Sequence, residues 1–298
     1  MNFPWKAHMA IFFANLIYGA NYSVAKEVMP LFFKPFGLIV MRIAGAIILF
    51  TLLFNRKIGK IAPSDRFRFL ICGISGVAIN QLCFFKGLSM STPIESAIIL
   101  TVNPLLVLMA SAFISRERIT LRKLAGIAIG MTGAMILILQ RSQIAPPGYN
   151  IAGNLLILAN AASYALYLVM VRPLMKKYNL GTVMFYIFVI GFVFVLPFGT
   201  SEALEVKWKD IPAWAYGSLI FIVVGTTFLA YLFNAYGLSQ VNASVVSSYI
   251  YLQPFLAALI AILWGKDFLD FQKVISALFV FTGVYLISMK AHKTESNN

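Results

Sequence analysis

Charged residues are scarce in this 298-residue sequence, and acidic residues are the scarcer kind. Only 11% of the residues are charged and 60% are hydrophobic, with 10 Asp and Glu against 24 Lys and Arg. A soluble globule of this length needs more polar side chains to cover its surface. The composition therefore excludes an ordinary soluble domain and predicts an integral membrane protein.

Cysteine and histidine are also rare, with 2 residues of each. Cys72 and Cys83 lie 11 residues apart in one apolar segment, where a disulfide framework or a metal site of ordinary spacing cannot form. His8 and His292 stand near opposite ends of the sequence. Because nucleophiles, bases and metal ligands are not clustered, a membrane enzyme is disfavoured, and we expect no metal and no cofactor.

The net charge of +14 does not indicate nucleic-acid binding. The basic residues are concentrated in short segments between long apolar runs, which is the usual topology signal of membrane proteins. We therefore expect the lipid bilayer, and no nucleic acid, as a partner.

Long charge-free runs define the predicted membrane spans. A spanning helix needs roughly 20 apolar residues, so the 55-residue run from Ile211 to Gly265 must hold two helices, interrupted near residues 237–242. The first run, Ala7 to Ala25, lacks a following small-residue cleavage site and is interpreted as a retained span. The ten predicted spans are residues 7–25, 36–54, 67–86, 96–114, 121–139, 151–171, 181–199, 213–236, 243–264 and 271–289.

One segment of the sequence occurs twice. Residues 80–117 align without a gap on residues 230–267, at an offset of 150. Self-similarity on this scale indicates a duplicated unit. The offset superposes Gly87-Leu88-Ser89 on Gly237-Leu238-Ser239, Asn103-Pro104 on Gln253-Pro254, and Thr132-Gly133 on Thr282-Gly283. We therefore predict a first repeat (1–144), a Pro/Gly-containing linker (145–150), a second repeat (151–290) and a disordered cytoplasmic tail (291–298).

The distribution of Lys and Arg predicts the orientation. With the amino terminus inside, 15 basic residues fall in cytoplasmic segments and 8 in outer segments, which favours cytoplasmic termini. Repeats with an odd number of spans must lie in opposite orientations. The predicted fold is therefore an all-α integral membrane protein whose ten transmembrane helices form two inverted five-helix repeats.

An inverted repeat has a mechanical consequence. Two halves with one fold and opposite orientations can exchange their conformations, which opens the molecule first to one side and then to the other. This alternating access is how secondary transporters work. We expect a small-molecule substrate bound near the midplane between the halves; the oligomeric state, monomer or dimer, stays open.

Polar residues in the predicted spans fall on helical stripes. Burying an amide or phenol group costs free energy unless it forms a hydrogen bond to protein or to water. Stripes of such residues in six helices therefore predict a shared polar cavity. The alternative is hydrogen bonding between neighbouring helices, worth about 0.6 kcal/mol per contact. Thr227 and Asn234 belong to the stripe of Tyr231. The candidate substrate-binding residues are Asn15, Tyr18, Tyr22, Asn80, Gln81, Phe84, Ser96, Asn103, Asn160, Tyr164, Tyr167, Tyr231, Ser247, Ser248 and Tyr251.

Three charged residues are candidates for gating or substrate contact. Arg42 lies about 9 Å from the outer end of the second predicted span. It can snorkel as a structural or interfacial residue, or it can contact a substrate carboxylate or a gate. Lys86 and Glu95 flank a short loop, where they can pair with each other or Lys86 can meet an anionic substrate group. No Asp or Glu lies deep in a predicted span.

Several stretches together resemble one family. They are Ala14 to Lys26 (ANLIYGANYSVAK), the arginine of the second span, Leu88 to Ser111 followed by Arg116-Glu117, and the Thr-Gly pairs near the end of each repeat. In this order and spacing they resemble the EamA branch of the drug/metabolite transporter superfamily. The resemblance implies an inner-membrane carrier, often an exporter, of amino acids or related metabolites. It also implies a central cavity built from helices one, three, four, six, eight and nine.

The function predicted is a secondary transporter of the inner (plasma) membrane, most plausibly an amino-acid or related-metabolite exporter. A drug, nucleoside or sugar carrier of the same fold is the alternative. A channel is less favoured because it needs a continuous pore lining or charged rings, and no recurrent filter-like loop is present.

Overall fold

The computed structural model describes residues 4–29, 31–90, 96, 99–142, 151–263 and 271–289. Regular structure within these ranges is helical throughout, which confirms the predicted all-α class. The predicted linker 145–150, the predicted tail 291–298 and Glu95 lie outside the described residues.

The helices of the described ranges are numbered in chain order. They are α1 (Trp5–Val28), α2 (Pro35–Phe54), α3 (Arg66–Gly73), α4 (Asn80–Met90), α5 (Asn103–Ser115), α6 (Leu121–Ser142), α7 (Ile151–Lys177), α8 (Leu180–Leu204), α9 (Ala213–Ile220), α10 (Ala230–Gln240), α11 (Ala243–Ser248), α12 (Leu252–Leu263) and α13 (Phe271–Ser288). The pair α3 and α4, like the pair α9 and α10, is continuous through a π-helical segment.

Five helical rods in the described part of the chain are long and apolar enough to cross a bilayer, and they confirm a multi-pass membrane protein. Two further apolar helices, Asn103–Ser115 and Val274–Ser288, are shorter. The total of ten spans remains a prediction. The five rods are Pro35–Lys57, Pro63–Met90, Ile151–Lys177, Leu180–Leu204 and Ala213–Gln240.

The two π-helical segments occupy corresponding places in the chain. Ile74–Ile79 joins α3 to α4, and Phe221–Leu229 joins α9 to α10. Their last residues are 150 positions apart, and the helices that follow, α4 and α10, have bounds shifted by the same 150 positions. A π segment widens the helix and rotates the following residues, and such segments are frequent at functional sites. The duplication seen in the sequence is therefore visible in local backbone structure.

Pro104 and Pro254 correspond to each other at the 150-residue offset. Each lies in the first turn of a helix that follows a break in the helical backbone. A turn at Thr101 and Val102 precedes α5, in which Pro104 is the second residue. In the second half, a short 3₁₀ turn, Tyr249–Tyr251, separates α11 from α12, and Pro254 follows in the first turn of α12. Proline has no N–H group, so it is tolerated in the first turn of a helix and interrupts the interior.

Helices at equivalent positions of the two halves pack on each other. α2 packs on α8, and α6 packs on α13. The amino terminus of α2 is capped from α8, because the Glu202 carboxylate accepts hydrogen bonds from the backbone N–H groups of Phe36 (2.7 Å) and Gly37 (2.9 Å). Beside this cap Lys34 pairs with Glu205 at 2.5 Å, and this hydrogen bond raises the pKa of Lys34.

The remaining contacts surround the centre of the molecule. α1 packs on α10 and α12, while α7 packs on α4 and α5. At the offset of 150 residues α1 corresponds to α7, α4 to α10, and α5 to α12. The contacts of α1 in the first half therefore have equivalents in the contacts of α7 in the second half. The central space is therefore bordered by helices from both halves.

Candidate functional site

A cavity of about 130 Å³ lies between these central helices. It is bordered by side chains from both halves of the chain, and most of them are polar but uncharged. Its lining residues are Asn15, Tyr18, Asn21, Arg42, Asn80, Gln81, Phe84, Phe85, Leu100, Asn103, Asn160, Tyr164, Thr226, Tyr231, Asn234, Val246, Ile250 and Gln253.

The structure brings many of the predicted residues together at this cavity. Arg42 is among them, together with nine of the fifteen substrate-binding candidates. These nine are Asn15, Tyr18, Asn80, Gln81, Phe84, Asn103, Asn160, Tyr164 and Tyr231.

The other candidates lie elsewhere. Ser247 and Ser248 donate to carbonyl groups three residues earlier in their own helix, those of Ser244 (3.1 Å) and Val245 (2.8 Å). A serine hydroxyl that already donates to a backbone carbonyl can be buried without lining a cavity. Residue 96 is fully buried and is not part of the lining.

The remaining tyrosine candidates pack against glycine. The ring of Tyr167 lies over Gly76, and the ring of Tyr251 lies over Gly130, where a Cβ atom would come within 2.6 Å of the ring. Both side chains are buried but outside the cavity lining. The side chain of Tyr22 is outside the described part of the structure, and Lys86 is exposed near the end of α4.

Three amide side chains connect neighbouring helices at the cavity wall. Gln253 donates to the Asn15 side-chain oxygen (2.8 Å), Asn103 donates to the carbonyl of Ala161 (3.1 Å), and Asn160 donates to the carbonyl of Asn80 (2.7 Å). Interhelical bonding and cavity lining are therefore not exclusive alternatives for these residues. One end of each amide holds the helices together, and the residue still borders the cavity.

Some amide oxygens at the cavity have no partner among the described residues. They are Gln81 Oε1, Asn103 Oδ1 and Asn234 Oδ1, and each belongs to a residue that is more than nine-tenths buried. A buried acceptor without a donor is costly, by about 1–3 kcal/mol. Each has almost no accessible surface, so these oxygens do not face the cavity in this conformation.

Two tyrosines form another part of the wall. The rings of Tyr18 and Tyr231 meet edge to face with centroids 6.4 Å apart. Gln81 approaches the Tyr231 hydroxyl at 3.4 Å, and Asn234 approaches the Tyr18 hydroxyl at 3.5 Å. The Tyr231 hydroxyl itself donates to the carbonyl of Gly76 at 3.4 Å. Contacts of this length are weak hydrogen bonds, so both hydroxyl groups can still bind a ligand.

Arg42 does not snorkel to the end of its helix. Its side chain is 4% exposed and points into the protein, where Nε donates to Thr227 Oγ1 at 2.7 Å. The guanidinium also lies 5.2 Å from the centre of the Phe85 ring. Snorkelling is therefore not the role of this arginine, because its anchor, Thr227, is buried in the π segment before α10.

Sequence reasoning did not select Asn21, Thr226 and Gln253. Gln253 aligns with Asn103 at the 150-residue offset, so the repeat itself was a usable signal. Asn21 lies three residues after Tyr18, on the same helical face. Thr226, whose hydroxyl donates to the Asn21 side-chain oxygen at 3.0 Å, lies in a π segment. There the 3.6-residue period does not hold, so a stripe drawn at that period misses it.

A second polar group, the Glu117 cluster, joins the two halves away from the cavity. It consists of Glu117, Lys123 and Ser244. The Glu117 carboxylate pairs with Lys123 at 2.5 Å and accepts from the Ser244 hydroxyl at 3.2 Å. Arg116, in the left-handed conformation with φ of 52°, ends α5 and orients the backbone at Glu117, whose N–H donates to the carbonyl of Ser111.

The architecture defines the class of protein. A small polar cavity between apolar membrane helices is the arrangement of a membrane transport protein.

Comparison with known proteins identifies the family. The sequence model described as "EamA-like transporter family" matches residues 5–139 and again residues 151–289. The chain therefore belongs to the EamA-like transporter family, within the drug/metabolite transporter superfamily, whose members are transporters.

Individual relatives agree with this assignment. The chain is 28% identical over 278 residues to the uncharacterized transporter YyaM of Bacillus subtilis (strain 168), covering 92% of this chain and 90% of that protein. It is 21% identical over 221 residues to a probable terminal-alkyne amino-acid exporter of Streptantibioticus cattleyicolor, covering 74% and 72%. One solved crystal structure shares the fold with a TM-score of 0.73 at 19% identity, covering 94% of this chain and 96% of the other.

Proposed function

We propose that this protein is a secondary transporter that moves an amino acid or related small metabolite across the inner membrane by alternating access. The observation that carries the proposal is the polar cavity between helices of both halves. Both termini are cytoplasmic in this proposal, as the excess of basic residues in the corresponding segments favours.

The mechanism requires two inverted five-helix repeats, and several observations support them. The family model matches twice, over residues 5–139 and 151–289. The bounds of α4 and α10 are offset by 150 residues, and the equivalent helices α2 and α8 pack on each other. Five spans in each repeat make the orientations opposite. The two halves can then exchange conformations around a central site.

The Glu117 cluster serves as the closure of one face. Glu117 and Lys123 belong to the first half, whereas Ser244, at the start of α11, belongs to the second. Val246 and Ile250 of the cavity wall lie only two and six residues beyond Ser244. Opening this face must separate the Ser244 hydroxyl from the Glu117 carboxylate. At the offset of 150, Asp267 and Lys273 align with Glu117 and Lys123 in the sequence.

A small cavity lined mostly by uncharged hydrogen-bonding side chains suits an amino acid or a compound of that size. The cavity volume of about 130 Å³ is close to the roughly 150 Å³ of a protein cavity that holds benzene. The amino-acid exporter named among the relatives supports this substrate class, and export as the direction, for the present chain. The amides and phenols of the wall could also bind sugar hydroxyl groups, so a sugar or nucleoside carrier is the second candidate.

Countertransport in proteoliposomes tests the function. Vesicles containing the purified protein are loaded with one unlabelled L-amino acid at a time, and uptake of the same labelled compound is followed against empty vesicles. We expect saturable uptake that internal substrate accelerates. Uptake that does not saturate and ignores internal substrate would indicate a channel, and uptake of sugars or nucleosides alone would favour the second candidate.

Tyr18→Phe is expected to weaken cargo binding while Tyr251→Phe leaves it unchanged. Both changes remove one buried hydroxyl group, but Tyr18 lines the cavity and Tyr251 does not. One lost hydrogen bond corresponds to roughly a 2- to 10-fold lower affinity. The measurement is half-saturation of countertransport for both variants, with thermal unfolding as the check on folding. Equal losses in the two variants would contradict the placement of the cargo at Tyr18.

A further inference from the structure

Resting on the proposed transport function, we propose that Arg42 binds the carboxylate of the cargo. The site would then select small compounds that carry one carboxylate together with hydrogen-bond donors, such as amino acids and hydroxy acids. Compounds without a carboxylate would be rejected.

The guanidinium of Arg42 is held in place from one side. Its Nε donates to Thr227 Oγ1 at 2.7 Å, and the Thr227 hydroxyl in turn donates to the carbonyl of Ile222 at 2.7 Å. The face of the Phe85 ring lies 5.2 Å away and further restricts the group. No hydrogen bond in the described part of the chain engages its two Nη atoms, although Arg42 borders the cavity. An oriented donor pair of this kind matches the two oxygens of a carboxylate.

Within the described part of the structure, no acidic side chain balances the charge of Arg42. Ion pairs there involve Lys34, Lys123 and Lys177, and none involves Arg42. The described residues of the cavity lining include no Asp or Glu, so Arg42 is the one charged side chain among them. Burying an uncompensated charge costs several kcal/mol. A ligand anion removes this penalty on binding.

The magnitude of the charge favours a carboxylate over a phosphate group. One arginine balances the single charge of a carboxylate, whereas a phosphate monoester carries about −1.5 to −2 near neutral pH. A phosphate would therefore need a second cation. The lining residues that the structure describes include no Lys and no second Arg.

The rest of the cavity indicates what accompanies the carboxylate. Its wall carries amide and phenol groups, among them those of Asn80, Tyr18 and Tyr231, which can accept hydrogen bonds. An ammonium or hydroxyl group on the cargo can donate to them, and the carboxylate at Arg42 fixes its orientation. A volume of about 130 Å³ limits the cargo, in this conformation, to roughly the size of benzene.

The experiment compares acids with their carboxamides. Countertransport by the wild-type protein is measured for a panel of small L-amino acids, L-lactate, the carboxamide of each amino acid, and glucose. Competition by sodium chloride is measured in parallel. We expect acids to be transported and their carboxamides to compete roughly 10- to 100-fold less well, because a charge-assisted pair is lost. Equal transport of acids and carboxamides, or competition by chloride alone, overturns the proposal.

Arg42→Met and Arg42→Lys then assign the effect to this side chain. We expect Arg42→Met to lose the preference for acids over carboxamides, and Arg42→Lys to keep part of it, because lysine retains the charge but not the planar pair of donors. Thermal unfolding of each variant reports on folding. If Arg42→Met does not fold, the preference for acids over carboxamides is compared between the wild type and Arg42→Lys. A preference that is equal in these two proteins also overturns the assignment. An undiminished preference in Arg42→Met overturns the assignment.

The two proposals fail in distinguishable ways. Wild-type vesicles that transport none of the probes above the empty-vesicle level would contradict the transport function, and with it the role of Arg42. Countertransport of carboxamides or glucose without any preference for acids would leave the transport function intact and overturn only the role of Arg42.

Discussion

Cross-linking Glu117→Cys to Ser244→Cys is expected to abolish transport, and cleaving the cross-link is expected to restore it. The native side chains meet at 3.2 Å and join the first half of the chain to the second. If the halves must separate on this face for the cargo to pass, a covalent bridge holds the carrier in one state. The double variant is made with Cys72→Ala and Cys83→Ala, and a reducible bifunctional reagent is used in proteoliposomes.

The matched control uses the same glutamate and the same reagent. Lys123 also contacts Glu117, at 2.5 Å, but both residues belong to the first half. Cross-linking Glu117→Cys to Lys123→Cys should therefore leave most of the transport activity. Unimpaired transport in the bridged Glu117–Ser244 variant would rule out opening of this face, whereas equal loss in both variants would show that damage to Glu117 itself is responsible.

Gly283→Ala is expected to lower the stability of the protein by roughly 1–3 kcal/mol, as overpacking does in tightly packed interiors. A Cβ atom at position 283 would lie 2.6 Å from Cα and N of Gly130 and 2.7 Å from the carbonyl oxygen of Gly126. These are backbone atoms of α6, so no side-chain rotation can relieve the contact. Glycines of the Gly-x-x-x-Gly type allow membrane helices to approach this closely.

Thermal unfolding in detergent measures this effect, with Gly217→Ala as the control. Gly217 lies in α9 and has nothing within 4 Å of its Cβ position. Alanine there should be neutral or stabilising by up to about 1 kcal/mol, because it favours helix. If both variants unfolded at the same temperature as the parent, α6 and α13 would not be packed backbone to backbone.

Much of the fold was accessible to sequence reasoning because the bilayer imposes simple rules. Long apolar runs must be helical there, since every backbone polar group has to bond within the chain. Repeats show directly as self-similarity, such as that between residues 80–117 and 230–267. Among the site residues, the amide and tyrosine stripes led to Asn15, Tyr18 and Asn160, since a buried polar group needs a polar neighbour.

Other features depended on contacts that no local pattern encodes. Tyr251 shares a stripe with polar residues, but it packs on Gly130, which is remote in the chain. The direction of the Arg42 side chain is set by Thr227, 185 residues away, and not by its distance from the helix end. Thr226 entered the cavity because a π segment changes the helical register.

Composition and periodicity thus suffice for the membrane class, the helices and the duplication, because hydrophobicity and backbone hydrogen bonding act along the chain. Which polar side chains border the cavity, and which only bond a neighbouring helix, is settled when helices from distant parts of the chain pack together. When helices pack, a shift of one residue in the register of a helix turns a side chain from the cavity to an interface with a neighbouring helix. The placement of Arg42 at a cavity lined by amide side chains could arise only there.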